Sequence, residues 1–332
     1  MIKEQIKIGN IELKNRLIMP PVATYLSTDD GKVTDRLIEY YGERAKGGSI
    51  GVIITEHCYI SQQGKAKANQ LSIANDDDVE GLTRLVNAIH QSGTKAMAQL
   101  NHAGATTFED LTGRRKVSAS SVPLPMEGSP LNEVLPEALT SEGISEIVDC
   151  FARAAVRAKA AGYDGVEIHS AHTYLLNQFY SPLTNKREDE YGGSLENRLR
   201  LHLEVIKEVR KAIGLDYLIS LRLGGCDYME GGSTIEDAVH AAKILEGAGI
   251  DMIDLSGGMC GYRREGHDEP GYFKDMSIPV KAAVSIPVML TGGIKRICEA
   301  EGLLLEEAAD LIGVGRELLK DPHWADREMN KL

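Results

Sequence analysis

Short apolar runs and longer amphipathic ones take turns along this chain. Leu17-Ile18-Met19 is an apolar triplet stopped by Pro20-Pro21. Ile50 to Glu56, Thr94 to Leu100, Gly165 to Ile168, Leu218 to Leu223, Met252 to Ser256, Val288 to Thr291 and Ala309 to Val314 have the same short, apolar character, as strands covered on both faces do. Between them the apolar positions recur at helical spacing. The spacing predicts helices behind Thr34, from about Asp78 to His90, from about Ser141 to Ala161, from Ser194 to about Ile213, from Thr234 to Ala248 and from near Arg316, with Thr34 and Ser194 as N-caps and Gly162 as a stop. Residues 5 to 14, with Gly9-Asn10 in the middle, read as a hairpin ahead of the main fold.

Eight strand-helix units result, and strands joined by helices must run parallel, in an open doubly wound sheet or a closed barrel. The count, and the absence of G-x-G-x-x-G after the first strand, favour closure. The expectation is an α/β protein with a (β/α)8 TIM barrel, residues 1-332 forming one domain capped by the hairpin. Two connections are unusually long, residues 101 to 140 after the third strand and 170 to 194 after the fourth. Both leave the face where barrels carry their chemistry, so they are candidate lids. Asp76-Asp77-Asp78 reads as the acidic first turn of a helix.

Charge narrows the partners. A formal net charge of -12 and a pI near 5.3 disfavour nucleic acid and anionic membranes, leaving small molecules. The five cysteines lack any C-x-x-C spacing, which disfavours a zinc or iron-sulfur site and a disulfide framework and suits a reducing cytoplasm. The start has no signal-like run and no later stretch approaches a membrane span, so a soluble, cytoplasmic protein is expected. The subunit count is not legible, and a homo-oligomer is compatible with all of this.

Asp164 to Tyr174, D-G-V-E-I-H-S-A-H-T-Y, delivers His169, His172 and Tyr174 to the end of one strand. Two imidazoles can hold a carbonyl oxygen, and a phenol is a proton donor at neutral pH, a set that suits building an enolate and quenching it. Solvated histidines at a strand end are the plainer alternative. Other strand ends bring Thr55 and Glu56, Gln99 and His102, Arg222, Ser256, Thr291-Gly292-Gly293 and Gly313-Val314-Gly315-Arg316. Glycine turns beside an arginine, after strands seven and eight, form an anion cradle and imply a phosphorylated ligand. Gln99 and Arg222 suit a flat heterocycle rich in carbonyls and ring nitrogens, such as an isoalloxazine; the structural alternative pairs Arg222 with Glu167 or Glu56. His90, His202, His240 and His323 lie in helical stretches and are expected to face solvent. His102 is a supporting residue on this reading, and His267 could meet substrate or nicotinamide.

Together these residues resemble the Old Yellow Enzyme family of FMN-dependent ene-reductases, in the style of its bacterial, thermophilic-type branch and of the barrel part of dienoyl-CoA reductases. The resemblance covers nearly the whole chain. It rests on Asn15-Arg16, on Gln99-Leu100-x-His102-Ala103-Gly104, on H-x-x-H-x-Y, on the block from Ser181-Pro182-Leu183 to Glu196-Asn197-Arg198, and on Gly315-Arg316-x-Leu318-Leu319-x-Asp321-Pro322. It implies FMN with its phosphate on Gly292, Gly293, Gly315 and Arg316, its ring edge on Gln99 and Arg222, and further cofactor contacts from Pro21, Ala23 and Thr55. It also implies NADH or NADPH as reductant, visiting the same pocket. His169 and His172 would then bind the carbonyl oxygen of an electron-poor alkene (an enone, enal or enoyl compound), Tyr174 would protonate its α-carbon, and Tyr25 would touch it. Many relatives carry threonine or cysteine where Ala23 stands, so a flavin harder to reduce is expected here. Ala105 replaces an arginine of some relatives and puts contacts from that loop in doubt. The chain stops soon after Trp324, ahead of the cysteine cluster of the larger reductases, so no iron-sulfur centre is expected. The competing readings are a divalent-metal hydrolase using His169, His172, Glu167 and His102, a non-catalytic flavin-binding barrel, and another FMN barrel such as a dihydroorotate-type dehydrogenase.

Overall fold

A computed structural model describes residues 1–332. The hairpin comes first, β1 (Ile6–Ile8) and β2 (Ile11–Leu13), turning at Gly9, whose φ of 54° the turn requires. Then follow β3 (Leu17–Met19), α1 (Asp35–Ala45), β4 (Val52–Tyr59), α2 (Val79–His90), β5 (Lys95–Asn101), α3 (Glu109–Thr112), β6 (Val117–Ser118), β7 (Glu137–Ala138), α4 (Ser141–Ala160), β8 (Gly165–Ser170) and α5 (Leu175–Tyr180). The chain continues through α6 (Leu195–Ile213), β9 (Leu218–Cys226), α7 (Ile235–Gly247), β10 (Met252–Gly257), α8 (Lys274–Lys281), β11 (Val288–Thr291), α9 (Ile297–Leu305), β12 (Leu311–Gly313), α10 (Arg316–Lys320) and α11 (Trp324–Met329). Eight strands close on themselves, all parallel, in the order β3, β4, β5, β8, β9, β10, β11, β12. This is the expected barrel.

The helices form for legible reasons. In α4 the Thr140 side chain accepts from the Gly143 N–H at 3.2 Å, and Ile144, Ile147, Val148, Phe151, Ala154, Ala155 and Ala158 lie on the buried stripe. Ser194 caps α6 in the same way, and Thr234 with Asp237 forms a capping box on α7. Asp76–Asp78 forms an acidic 3-10 turn that runs directly into α2, and Asp78 is buried, accepting from Ser72 Oγ at 2.7 Å and Lys32 Nζ at 2.6 Å.

Alternation along the strands sorts side chains into two cores. Ile53, Ala96, Ala98, Leu100, Val166, Ile168, Ile219, Leu221, Ile253, Leu255 and Leu290 point outward to the helices. Ile18, Val52, Ile54, Met97, Leu218, Met252, Met289 and Leu311 fill one end of the interior, where Ile8 and Leu13 of the hairpin pack against them. The hairpin thus plugs the end opposite the strand C-termini. Above this apolar floor the interior turns polar, as the register sets Gln99, Glu167 and Ser220 side by side, and His169, Arg222 and Asp254 likewise. No helix is long and apolar enough to cross a membrane.

Candidate active site

A cavity of about 440 Å³ opens at the C-terminal ends of the strands, a size typical of small-molecule sites. Its wall includes Pro21, Ala23, Tyr25, Gln99, His169, His172, Tyr174, Arg222, Gly292, Gly293, Gly315 and Arg316, all expected from the sequence. Thr55 is not in the wall. It shares the outward face of β4 with Ile53, and its hydroxyl meets Tyr163 OH at 3.2 Å and donates to the Met97 carbonyl at 3.3 Å. Strand parity explains the miss.

His169, His172 and Tyr174 come together. The ring centroids of His169 and His172 are 5.2 Å apart at 85°, and those of His169 and Tyr174 are 5.0 Å apart at 66°. They are held by a turn that is costly to make, because His172 and Thr173 both adopt left-handed φ, 57° and 66°. That turn is fixed from several sides: the Thr173 N–H donates to Asn177 Oδ1 at 2.9 Å, Thr106 Oγ1 donates to the Thr173 carbonyl at 2.7 Å, and Gln178 Nε2 donates to the same carbonyl at 2.5 Å. The histidines are not solvated. Burial, with the positive charge of Arg222 nearby, holds both imidazoles well below their ordinary range, so they are neutral at physiological pH. Burial also pushes the Tyr174 phenol up, keeping its proton on. His172 Nε2 lies 2.7 Å from Ser256 Oγ, and the Nδ1 atom of His169 is buried without a partner.

Arg222 pairs with neither Glu167 nor Glu56. Its Nε lies 3.1 Å from Asp254 Oδ2, but neither atom is aligned for a hydrogen bond. Burial outweighs the pull of Arg222, so the carboxyls of Asp254 and Glu167 both titrate above their usual range. Glu167 is positioned on both oxygens, accepting from Gln99 Nε2 at 3.0 Å and Ser220 Oγ at 3.0 Å. Gln99 therefore keeps its carbonyl and one N–H for the cavity. Gly293 has φ 71°, and a Cβ there would stand 2.2 Å from the Glu269 carbonyl oxygen, so no side chain fits. Arg316 has no carboxylate partner and reaches only Tyr272 OH, at 3.3 Å. The wall carries three arginines and no carboxylate, a setting for an anion.

A model of the NADH:flavin oxidoreductase / NADH oxidase family matches residues 3–332. The chain belongs to this family. It is 41% identical over 324 residues to an NADH oxidase of Thermoanaerobacter brockii, covering 96% of this chain and 49% of that protein. It is 39% identical over 318 residues to an NADPH dehydrogenase of Halalkalibacterium halodurans, covering 96% of this chain and 90% of that one. The chain thus spans about half the length of the first relative. Among solved structures, the Old Yellow Enzyme homologue of Zymomonas mobilis superposes with a TM-score of 0.86 at 29% identity, over 99% of this chain and 92% of that one. The family's cofactor is FMN, and the residues present fit it. An unpaired Arg316 beside glycines that admit no Cβ suits a phosphate, and Arg222 and Gln99, each with unused donors, suit a ring edge.

His57, Tyr262, Arg263 and Tyr272 line the cavity and were not singled out for it by the sequence. Three sit in the connection after β10, which has no periodicity to read; His57 is taken up below. Of the two long connections, 170–194 brings His172 and Tyr174 to the cavity wall. Nothing from 101–140 lines the cavity, and Arg187 ties the two together by donating to the carbonyls of Ala119 at 3.0 Å and Leu139 at 2.7 Å. His202 is fully buried, against expectation, with Nε2 2.7 Å from Ser170 Oγ, because its face of α6 packs on the barrel. His90 is half-buried and meets Asp164 at 2.7 Å, while His240 and His323 are exposed. His102 is buried, its Nδ1 accepting from the Gly104 N–H at 3.1 Å, and His267 meets Glu269 at 2.6 Å outside the cavity. No three His, Cys, Asp or Glu side chains gather as a metal site, so the ligand set of the hydrolase reading does not form.

Proposed function

We propose that residues 1–332 work as one FMN-binding barrel that reduces the activated double bond of an α,β-unsaturated carbonyl compound at the expense of NADH or NADPH. When bound, FMN supplies the hydride for the β-carbon. His169 and His172 bind the carbonyl oxygen of the enone, enal or enoyl substrate through ring N–H groups, drawing negative charge onto it. Fixed donors aimed at developing charge are commonly the largest single contribution to a rate. Tyr174 gives its proton to the α-carbon, a step that its neutral, half-buried phenol is suited to. Pro21, Ala23, Gln99 and Arg222 hold the ring; Gly292, Gly293, Gly315 and Arg316 hold the phosphate; Tyr25, exposed at the rim, contacts substrate.

The observation carrying this reading is the cluster of two neutral imidazoles and one protonated phenol in the same cavity as Arg222 and Gln99. A bare flavin-binding barrel would have no use for it. The test is an absorbance spectrum of the purified protein, followed by anaerobic titration with NADH and NADPH and assay with cyclohexenone, an enal and an enoyl thioester. A yellow protein bleached by nicotinamide and reoxidised by an alkene is expected; a bleached protein that no alkene reoxidises would overturn the reaction assigned.

A further inference from the structure

His57 stands in the cavity because β4 carries one residue too many. Thr55 pairs with Ala98 and Cys58 with Leu100, so three residues on β4 span two on β5, and such a bulge re-aims a side chain. Strict alternation would send His57 outward with Thr55; instead it lines the cavity beside Tyr174, ring centroids 5.2 Å apart and planes at 32°, and 6.3 Å from His169.

Its tautomer is set by its neighbours. Nδ1 receives Asn101 Nδ2 and Gln70 Nε2, each at 3.1 Å. Gln70 is independently oriented, since its Oε1 accepts from the Ala66 N–H at 2.6 Å and its Nε2 also donates to the His57 carbonyl at 3.1 Å. An Nδ1 atom facing amide N–H groups is an acceptor, so the ring proton sits on Nε2. Burial pushes the imidazole down to about 4, keeping it neutral. The hydrogen bonds of the ring use Nδ1, and none uses Nε2. With the two ring planes only 32° apart, the N–H runs alongside the phenol instead of into its face.

We propose that His57 is a specificity-determining substrate residue, whose fixed Nε2–H binds a second acceptor on the alkene, carried by the α-carbon. This rests on the reaction proposed above. His169 and His172 hold the carbonyl and Tyr174 faces the α-carbon, so a substituent there comes within reach of the ring beside the phenol, that of His57. The favoured class is alkenes with an alkoxy, acyl or carboxylate oxygen at the α-position. An α-alkyl group would strand a buried donor, and a site built to hydrogen-bond a group rejects the analogue lacking it.

The test compares 2-methoxy-2-cyclohexenone with 2-ethyl-2-cyclohexenone, alike in size, on the flavin-loaded protein. Dissociation constants come from calorimetry, which needs no turnover, and KM and kcat from NADPH oxidation. Wild type is expected to bind the methoxy enone about tenfold more tightly, the worth of one hydrogen bond. His57→Phe should abolish that preference, and His57→Gln, which keeps an N–H, should restore most of it. Equal binding of the two enones by wild type, or a preference that survives in His57→Phe, overturns the proposal. If His57→Phe loses its flavin, the wild-type and His57→Gln preferences decide alone. Failure of wild type to reduce either enone would count against the reaction, while the binding comparison would still decide the role of His57.

Discussion

Single atoms decide much of this site. Ser256 Oγ, 2.7 Å from His172 Nε2, must donate to that nitrogen if His172 is to offer a proton to a substrate oxygen from its other nitrogen. Ser256→Ala releases this control, and kcat/KM for an enone is expected to fall about tenfold, with Ser256→Thr restoring it; steady-state kinetics on both variants check this. Ala23 in the cavity wall offers no donor, so Ala23→Cys should raise the midpoint potential of the bound flavin, and an unchanged potential would show that the position does not tune the ring. Most residues of the site were legible singly, because Gln99, His169, Arg222 and Thr291 lie on apolar strands and fall on the inward parity. Thr55 and His57 were not. Thr55 keeps the outward parity of Ile53, and His57 is turned inward by an extra residue that no composition or spacing signal in T-E-H-C-Y marks.

At the scale of elements, the alternation in each strand carries both the packing and the chemistry. Apolar residues at one parity bind the helices, and the other parity runs from the methionine-rich floor up through Glu167 and Asp254 to His169 and Arg222. That is why the strands and helices could be read to within a few residues, with β4 and β9 running three residues further than their patterns suggested. The connections were less readable, since what they touch depends on the finished barrel. The tight pair His172-Thr173 illustrates the point: its left-handed backbone is paid for by Asn177, Thr106 and Gln178, which no local pattern links. Asn177→Ala should lower enone turnover several-fold while leaving FMN bound, because it loosens the turn and not the glycine cradle. Paired activity and flavin-content measurements check this.

For the molecule as a whole, the polar interior has a pH signature. Burial pushes the Glu56 carboxyl from 4.5 up to about 7, although Oε2 accepts the Thr24 N–H at 2.6 Å, and its Oε1 has no partner. Between those values the unfolded chain has lost this proton and the folded one has kept it, so the contribution of Glu56 is fully present below 4.5 and declines as pH rises to about 7. The loss is on the order of 3 kcal/mol, at about 1.4 kcal/mol per pH unit. Glu56→Gln should remove that decline, visible as the difference between wild-type and variant unfolding curves taken from pH 4.5 to 7.5 on flavin-loaded protein; parallel curves would contradict it. The measurement that bears most directly on the whole account is anaerobic stopped-flow kinetics of Tyr174→Phe, with the two half-reactions followed separately. Loss of the proton donor should slow oxidation of the reduced protein by an enone at least about a hundredfold and leave reduction by NADPH near the wild-type rate. Equal slowing of both, or of neither, would contradict it.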